Sequence, residues 1–255
     1  MPDAPAPPAF VPDPALRFPT TVAAATAEQE RLRARVVLRP PDGFAPRLVG
    51  GFDVSMTRGS EVGHGGIVVL DLDTMQTVAT ATTSAPLPMP YVPGFLSFRE
   101  LPVVVGAWEA LLAQGARPDV LLFDGQGYAH PRRFGIACHG GVLFDVPAIG
   151  CAKSVLVGRH EPLGEERGAR APLVHRRETV GMALRLRARV QPVYVSPGHR
   201  MDLATAVALV ERLGTGFREP ETTRRAHALV NAHRRRVEGL DEPAIEAPAL
   251  DTNAA

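Results

Sequence analysis

The sequence predicts an α/β domain with a central mixed β-sheet flanked by helices. Three β-type runs follow one another at short spacing after residue 46, helical patterns then alternate with short apolar runs, and two amphipathic helices close the chain. Its 255 residues, 45% of them hydrophobic, suit one domain around a single well-buried core.

Residues 1–20, "MPDAPAPPAFVPDPALRFPT", predict a disordered leader, because repeated prolines remove donors and block helix continuation. Residues 238–255 read the same way, which leaves 21–237 as the folded unit. "TAEQERLRARVVL" predicts a helix opening with Thr and Glu in capping positions. The runs "RLVGGFDVSM", "GGIVVLDLD" and "QTVATATTS", joined by short Gly- or Asp-bearing connections, predict an antiparallel meander.

Next comes "PYVPGFLSFRE", which packs two prolines, a glycine, three aromatics and a carboxylate into eleven positions. An exposed turn has no need of so many large apolar groups. It leads into the helical pattern "SFRELPVVVGAWEALLAQG", with a proline near its first turn and a glycine stop. "PDVLLFDGQG" predicts a buried strand that delivers a side chain to a sheet edge. "FGIACHGGVLFD" is helical despite its glycines, and "VPAIGCAKS" is another buried strand. An Arg/Glu-rich hairpin region follows at 159–178. "TVGMALRLRA" and "QPVYVSPGH" read as strands, "DLATAVALVERLG" and "ETTRRAHALVNAHRRR" as helices.

The 28 basic and 27 acidic residues nearly cancel, so a nucleic-acid partner would have to be met by a local patch. Two cysteines are too few for a disulfide framework, and the first residues lack a secretory pattern. A reduced, cytoplasmic protein is the expectation. No window approaches the roughly 18 consecutive apolar residues of a membrane span. A monomer is expected, because no long heptad or exposed apolar strand pattern demands a partner.

Asp53 and Asp124 both lie on apolar strand runs that the fold could bring side by side. Two adjacent carboxylates without a counterion suffer large pKa shifts, and a divalent metal removes that cost. Glu100, following the aromatic segment, would be a third oxygen donor, and an all-oxygen set suits Mg²⁺ or Mn²⁺ rather than zinc. Each acid alone reads better as a turn former or a helix-start residue, and only the three together bring the metal site level with that reading. Lys153 is the only lysine among the 28 basic residues, which points to a place for a compact point charge on a flexible stem.

The glycines of "DGQGYAHPRRFGIACHGG" permit close backbone approach, with Arg132 and Arg133 beside them for phosphate. Turn glycines and solvated arginines are the better reading of that segment alone. Cys138, His139 and Cys151 lack the paired spacing and fourth ligand of a zinc site, so core cysteines are expected. Ser196 is on no nucleophile elbow. His227, on a helix whose Ala226, Leu229 and Val230 face inward, reads by itself as a structural histidine.

Together, "FDVSM", "PYVPGFLSFRE", the block from "PDVLLFDGQG" to "AIGCAKS", "VYVSPGH" and "RRAHALVN" resemble the signature segments of endonuclease V over residues 25–237. That resemblance implies a ribonuclease H-like fold and a Mg²⁺-dependent nuclease acting on DNA that contains deoxyinosine. It implies that Asp53, Glu100 and Asp124 bind the metal, that His227 lies near the metal and attacking water, and that Lys153 contacts the phosphate near the cut. Pro90, Tyr91, Val92 and Pro93 would form a strand-separating wedge, and Leu96, Gly125, Gly135 and Ile136 the base pocket. Cutting is implied at the second phosphodiester bond 3′ to the lesion. Inosine-containing RNA as the substrate, and a non-cutting inosine reader, stay open as alternatives. Met56 departs from the residue types common in the family at its position.

Overall fold

The computed structural model describes residues 18–240, so the leader and tail lie outside the described residues apart from 18–20 and 238–240. Helix α1 (Val22–Arg33) begins one turn earlier than "TAEQERL" suggests. Thr21 is its cap, accepting from the Ala24 amide, while Thr26 sits inside the helix and bonds back to the Val22 carbonyl. The intervening alanines are the best helix formers, so the helix extends back to the earlier threonine.

Strands β1 (Leu48–Ser55), β2 (Val62–Asp71) and β3 (Thr77–Pro86) form the expected antiparallel meander. Helix α2 (Leu96–Ala113) leads to β4 (Val120–Phe123), which pairs parallel with β1. Helix α3 (Ile136–Phe144) leads to β5 (Ala148–Ala152), parallel to β4. Strands β6 (Arg170–His175), β7 (Glu178–Leu184) and β8 (Val193–Pro197) form a second antiparallel meander that joins the sheet where β8 pairs antiparallel with β5, in the order β3-β2-β1-β4-β5-β8-β7-β6. Helices α4 (Leu203–Arg212) and α5 (Glu221–Val237) complete the fold. Strand β6 lies within the region read only as a hairpin; it is an edge strand, where Pro172 costs no ladder bond.

Both faces of the sheet are covered. Phe52, Leu121 and Phe123 meet Trp108 of α2 and Phe144 of α3 on one side. Val49, Val120 and Leu122 meet Val207 and Val210 of α4 on the other, where α5 also lays Ala226 and Leu229 on Val68 and Leu70. Each such side chain contributes roughly 1.5–3 kcal/mol when fully buried. Helix α3 tolerates its glycines because it sits close on the sheet: a Cβ at Gly140 would come 2.3 Å from the Phe123 ring.

The pleat then positions chemistry. Phe52 and Phe123 are register partners pointing to the α2 and α3 side, so Asp53 and Asp124, one residue on, project side by side toward α5.

One local conformation is costly. The β6–β7 hairpin turns through Arg176 and Arg177, between the paired His175 and Glu178, with φ of 54° and 66°. Left-handed backbone costs a residue with a Cβ about 1–2 kcal/mol. Among the described residues no helix is long and apolar enough to cross a membrane.

Candidate active site

The three parallel strands end at one edge of the sheet and each brings a functional group there: Asp53 near the end of β1, Asp124 just after β4, Lys153 just after β5. The carboxyl ends of parallel strands are where open α/β sheets bind ligands. Lys153 Nζ lies 2.7 Å from Asp124 Oδ2 and 3.1 Å from Glu219 Oε2. Asp53 Oδ2 lies 2.9 Å from His227 Nδ1, and the Asn231 amide donates to His227 Nε2 at 2.9 Å. Ser55 Oγ in turn donates to Asn231 Oδ1 at 2.8 Å, so these bonds assign the Nδ1 hydrogen of His227 to Asp53. Glu100 arrives from the second turn of α2, one turn later than its position in the sequence suggests, and borders one small cavity with Asp53 and Asp124.

Burial, then the charges of Asp53 and Asp124, push the Glu100 carboxyl up to about 8. Asp53 is raised by burial and by Asp124, against its bond to His227. Asp124 is raised by burial, with Lys153 pulling the other way. Burial works to lower the Lys153 ammonium, but its pairing with Asp124 and Glu219 outweighs that and raises it. Among the described residues no three His, Cys, Asp or Glu side chains form a ready-closed metal cage. The donor chemistry nevertheless fits a hard divalent cation: three carboxylates border one cavity and repel one another, a strain that a cation relieves.

Leu96, Gly125, Gly135 and Ile136 line a neighbouring pocket of about 230 Å³, together with Tyr91, Asp124 and Lys153. That is below the ~300–1,000 Å³ of sites for drug-sized ligands, so it suits a smaller group. Asp124 and Ile136 border both this pocket and the carboxylate cavity, so the two adjoin. At Gly125 a Cβ would stand 2.6 Å from Ile136 Cγ2, so only glycine keeps this packing.

The proline-flanked segment stands beside the pocket. Pro90, Tyr91 and Pro93 are exposed, Tyr91 at 64%, while Val92 packs below them on Met89, Phe95, Phe98 and Ala25. The carbonyl of Gly94 accepts from Gln29 Nε2 at 2.9 Å, His130 Nε2 at 2.9 Å and Arg132 Nη2 at 3.2 Å. Burial holds His130 down to about 4, so it is neutral; its Nε2 hydrogen goes to Gly94 and its Nδ1 accepts from the Arg132 amide. Gly94 has φ +83°, and an added Cβ would lie 3.3 Å from Arg132 Nη2. Gly94→Ala is therefore expected to cost ~1–2 kcal/mol, a fall in Tm of roughly 2–8 °C in a melting experiment. An unchanged Tm would mean that this anchor carries no strain.

Several sequence readings resolve differently here. Arg132 and Arg133 are neither solvated nor aimed at phosphate. Arg132 lies over the Phe95 ring at 4.4 Å and bonds Gln29, while Arg133 is buried against Glu178 at 2.9 Å and the His130 carbonyl at 2.8 Å. Met56 accepts from Arg99 through sulfur at 3.0 Å, and Arg99 also holds the Met89 carbonyl, so the thioether supports the base of the exposed segment. Cys138 and Cys151 are free thiols in separate apolar clusters; burial pushes Cys138 up to about 12 and His139 down to about 3. Ser196 is buried and accepts from the Gly127 amide. Three members of the site were not singled out in the sequence. Asn231 had a usable signal, its i+4 spacing from His227. Gln29 and Glu219 had none, since only the fold brings them in.

The sequence model of the family described as Endonuclease V matches residues 30–228. Endonuclease V of Myxococcus xanthus is 59% identical over 219 residues, 86% of this chain and 92% of the relative. The crystal structure of Endonuclease V from Streptomyces avermitilis superposes with a TM-score of 0.80 at 43% identity, covering 87% of this chain and 96% of the other. Ciona intestinalis Endonuclease V, in complex with a 24mer DNA containing an inosine followed by a ribo-adenosine, superposes with a TM-score of 0.74 at 29% identity, covering 85% and 98%.

Proposed function

Since the chain belongs to the endonuclease V family, we propose that it is a Mg²⁺-dependent DNA repair nuclease specific for deoxyinosine, the deamination product of adenine. It hydrolyses the second phosphodiester bond 3′ to the lesion, leaving 3′-hydroxyl and 5′-phosphate ends. The observation that carries this reading is the pocket that shares Asp124 and Ile136 with the carboxylate cavity, beside an exposed aromatic on a braced support. The inosine-containing DNA bound by the Ciona relative is consistent with it.

Tyr91 inserts where the base has left the stack. Unstacking costs a few kcal/mol, and a side chain held between prolines fills the gap with little entropy to lose. Hypoxanthine offers an N1 hydrogen and an O6 acceptor and lacks the 2-amino group of guanine. Main-chain groups at Gly125 and Gly135 reach the base edge, and the Leu96 and Ile136 walls leave no room for that amino group. Asp53, Glu100 and Asp124 would hold the divalent cation, Mg²⁺ or Mn²⁺, which would supply Lewis-acid polarisation of the scissile phosphate and a lowered pKa for water. Lys153 places its charge on the phosphate near the cut. His227, oriented from both sides by Asp53 and Asn231, stands by the attacking water and keeps its Nδ1 hydrogen on Asp53.

A labelled duplex with one deoxyinosine, incubated with Mg²⁺, should yield a single nick just 3′ of the lesion. The undamaged duplex and the EDTA-treated reaction should yield none. Activity that survives excess EDTA would point to a metal-free pair of carboxylates; tight lesion binding with no nick would make the protein a reader. A matched inosine-containing RNA strand belongs in the same experiment, because the Ciona complex carries a ribonucleotide after its inosine. Faster cutting of RNA would reassign the substrate.

A further inference from the structure

The β6–β7 turn is built against its own backbone preferences. A two-residue hairpin loop with φ > 0 at both central residues favours Asn-Gly, yet this one holds Arg176 and Arg177. Both guanidiniums are exposed, and neither has an ion-pair or hydrogen-bond partner among the described residues. The one acid of the hairpin, Glu178, is committed elsewhere, accepting from Tyr128 at 2.7 Å and Arg133 at 2.9 Å. The turn therefore presents two uncompensated positive charges on a chain whose total charge is only +1.

Its place in the molecule is fixed from two sides. From the exposed segment, the Gly94 carbonyl is bonded to His130, the His130 carbonyl to Arg133, and Arg133 to both the ring and the carbonyl of His175, the residue before the turn. From the pocket, the loop carrying Val155 and Leu156 continues to Arg159, which bridges to Val174 of β6. The turn is thus tied to both the wedge and the pocket wall.

We propose that Arg176 and Arg177 form a clamp on the nucleic-acid backbone beside the lesion, each contacting a phosphate; the proposal rests on the nuclease reading above. Arginine suits the task, since its planar fork can engage two phosphate oxygens. Such contacts hold register without reading sequence.

The double variant Arg176→Asn/Arg177→Gly separates this role from folding, because it installs the residues that the turn prefers. Its Tm is expected to equal or exceed the parent's. Binding to a lesion-free duplex, followed by fluorescence anisotropy, should lose about 1.8 from the slope of log K against log salt, since each phosphate contact contributes about 0.9. Between about 50 and 200 mM KCl, the fall in affinity would then be about 12-fold smaller than the parent's. The preference for a deoxyinosine duplex over the lesion-free one should not change. Arg176→Lys/Arg177→Lys should keep most of the slope. An unchanged slope in the Asn-Gly variant overturns the proposal, as does a slope lost equally in the lysine variant. A parent that binds duplex with the expected slope but never nicks at deoxyinosine overturns the nuclease reading instead, which the anisotropy experiment tells apart.

Discussion

If the proposed reading holds, Asp124→Asn is expected to slow nicking at deoxyinosine by about 10³-fold, because a carboxylate that held the cation would supply several kcal/mol of transition-state stabilisation. Lesion binding should stay within a few-fold of the parent, since the pocket walls at Leu96, Gly125, Gly135 and Ile136 are untouched. Stability should move the other way from activity. Asp124 is buried beside Asp53, raises its carboxyl and helps to push up that of Glu100, so neutralising it relieves repulsion, and Lys153 keeps Glu219. In EDTA the variant is expected to melt no lower than the parent. A variant that keeps more than about a tenth of the rate would remove Asp124 from the metal set. One that loses activity together with stability would have a structural role there.

The second large effect is a stability that falls as the solution becomes more alkaline. Glu100 keeps its proton to about pH 8 in the folded protein, against an ordinary value of 4.5. Between those values the folded chain binds more protons than the unfolded one, so stability falls as pH rises. His130 and His139, held at about 4 and 3, act in the opposite sense, but only below their ordinary 6.5. From pH 6.5 to 8 the histidines therefore contribute little, and the raised carboxylates, Glu100 foremost, carry the slope. Over it the metal-free protein should lose roughly 2 kcal/mol, or about 4–8 °C in Tm. A cation bound at Glu100, as proposed, would compete with that proton, so Mg²⁺ or Mn²⁺ should raise Tm more at pH 8 than at 6.5. Calorimetry with EDTA and with Mg²⁺ checks both statements. A flat metal-free profile, or one that Glu100→Gln leaves unchanged, would show that the proton is not held there.

The legible parts of this molecule were those in which local pattern and tertiary need agree. The apolar runs ending in Asp53, Asp124 and Lys153 announced the ends of β1, β4 and β5, and those ends converge because the strands are parallel. Helix α5 showed its inward face through Ala226, Leu229 and Val230. What escaped was set by contacts distant in sequence. Gln29 braces a carbonyl 65 residues away, and Arg133 is buried by a hairpin 45 residues on, so a segment read as turn glycines and solvated arginines is instead a scaffold for the exposed segment. Strand β6 escaped because an edge strand that carries a proline and exposes Val174 beside Arg170 shows no clean alternation of apolar and polar residues. The start of α1 slipped by a turn because two threonines competed for the cap and alanines between them favoured the earlier one.

Lys153 is the only side-chain primary amine in the protein, and it stands in the site. Acylating reagents attack the free base, and the carboxylates of Asp124 and Glu219 keep the proton on Nζ. A ligand that draws those carboxylates away would free the amine, while a phosphate seated on it would shield it. Apart from the α-amino group, one mass increment on one peptide then gauges the occupancy of the site, with no cleavable substrate in the tube.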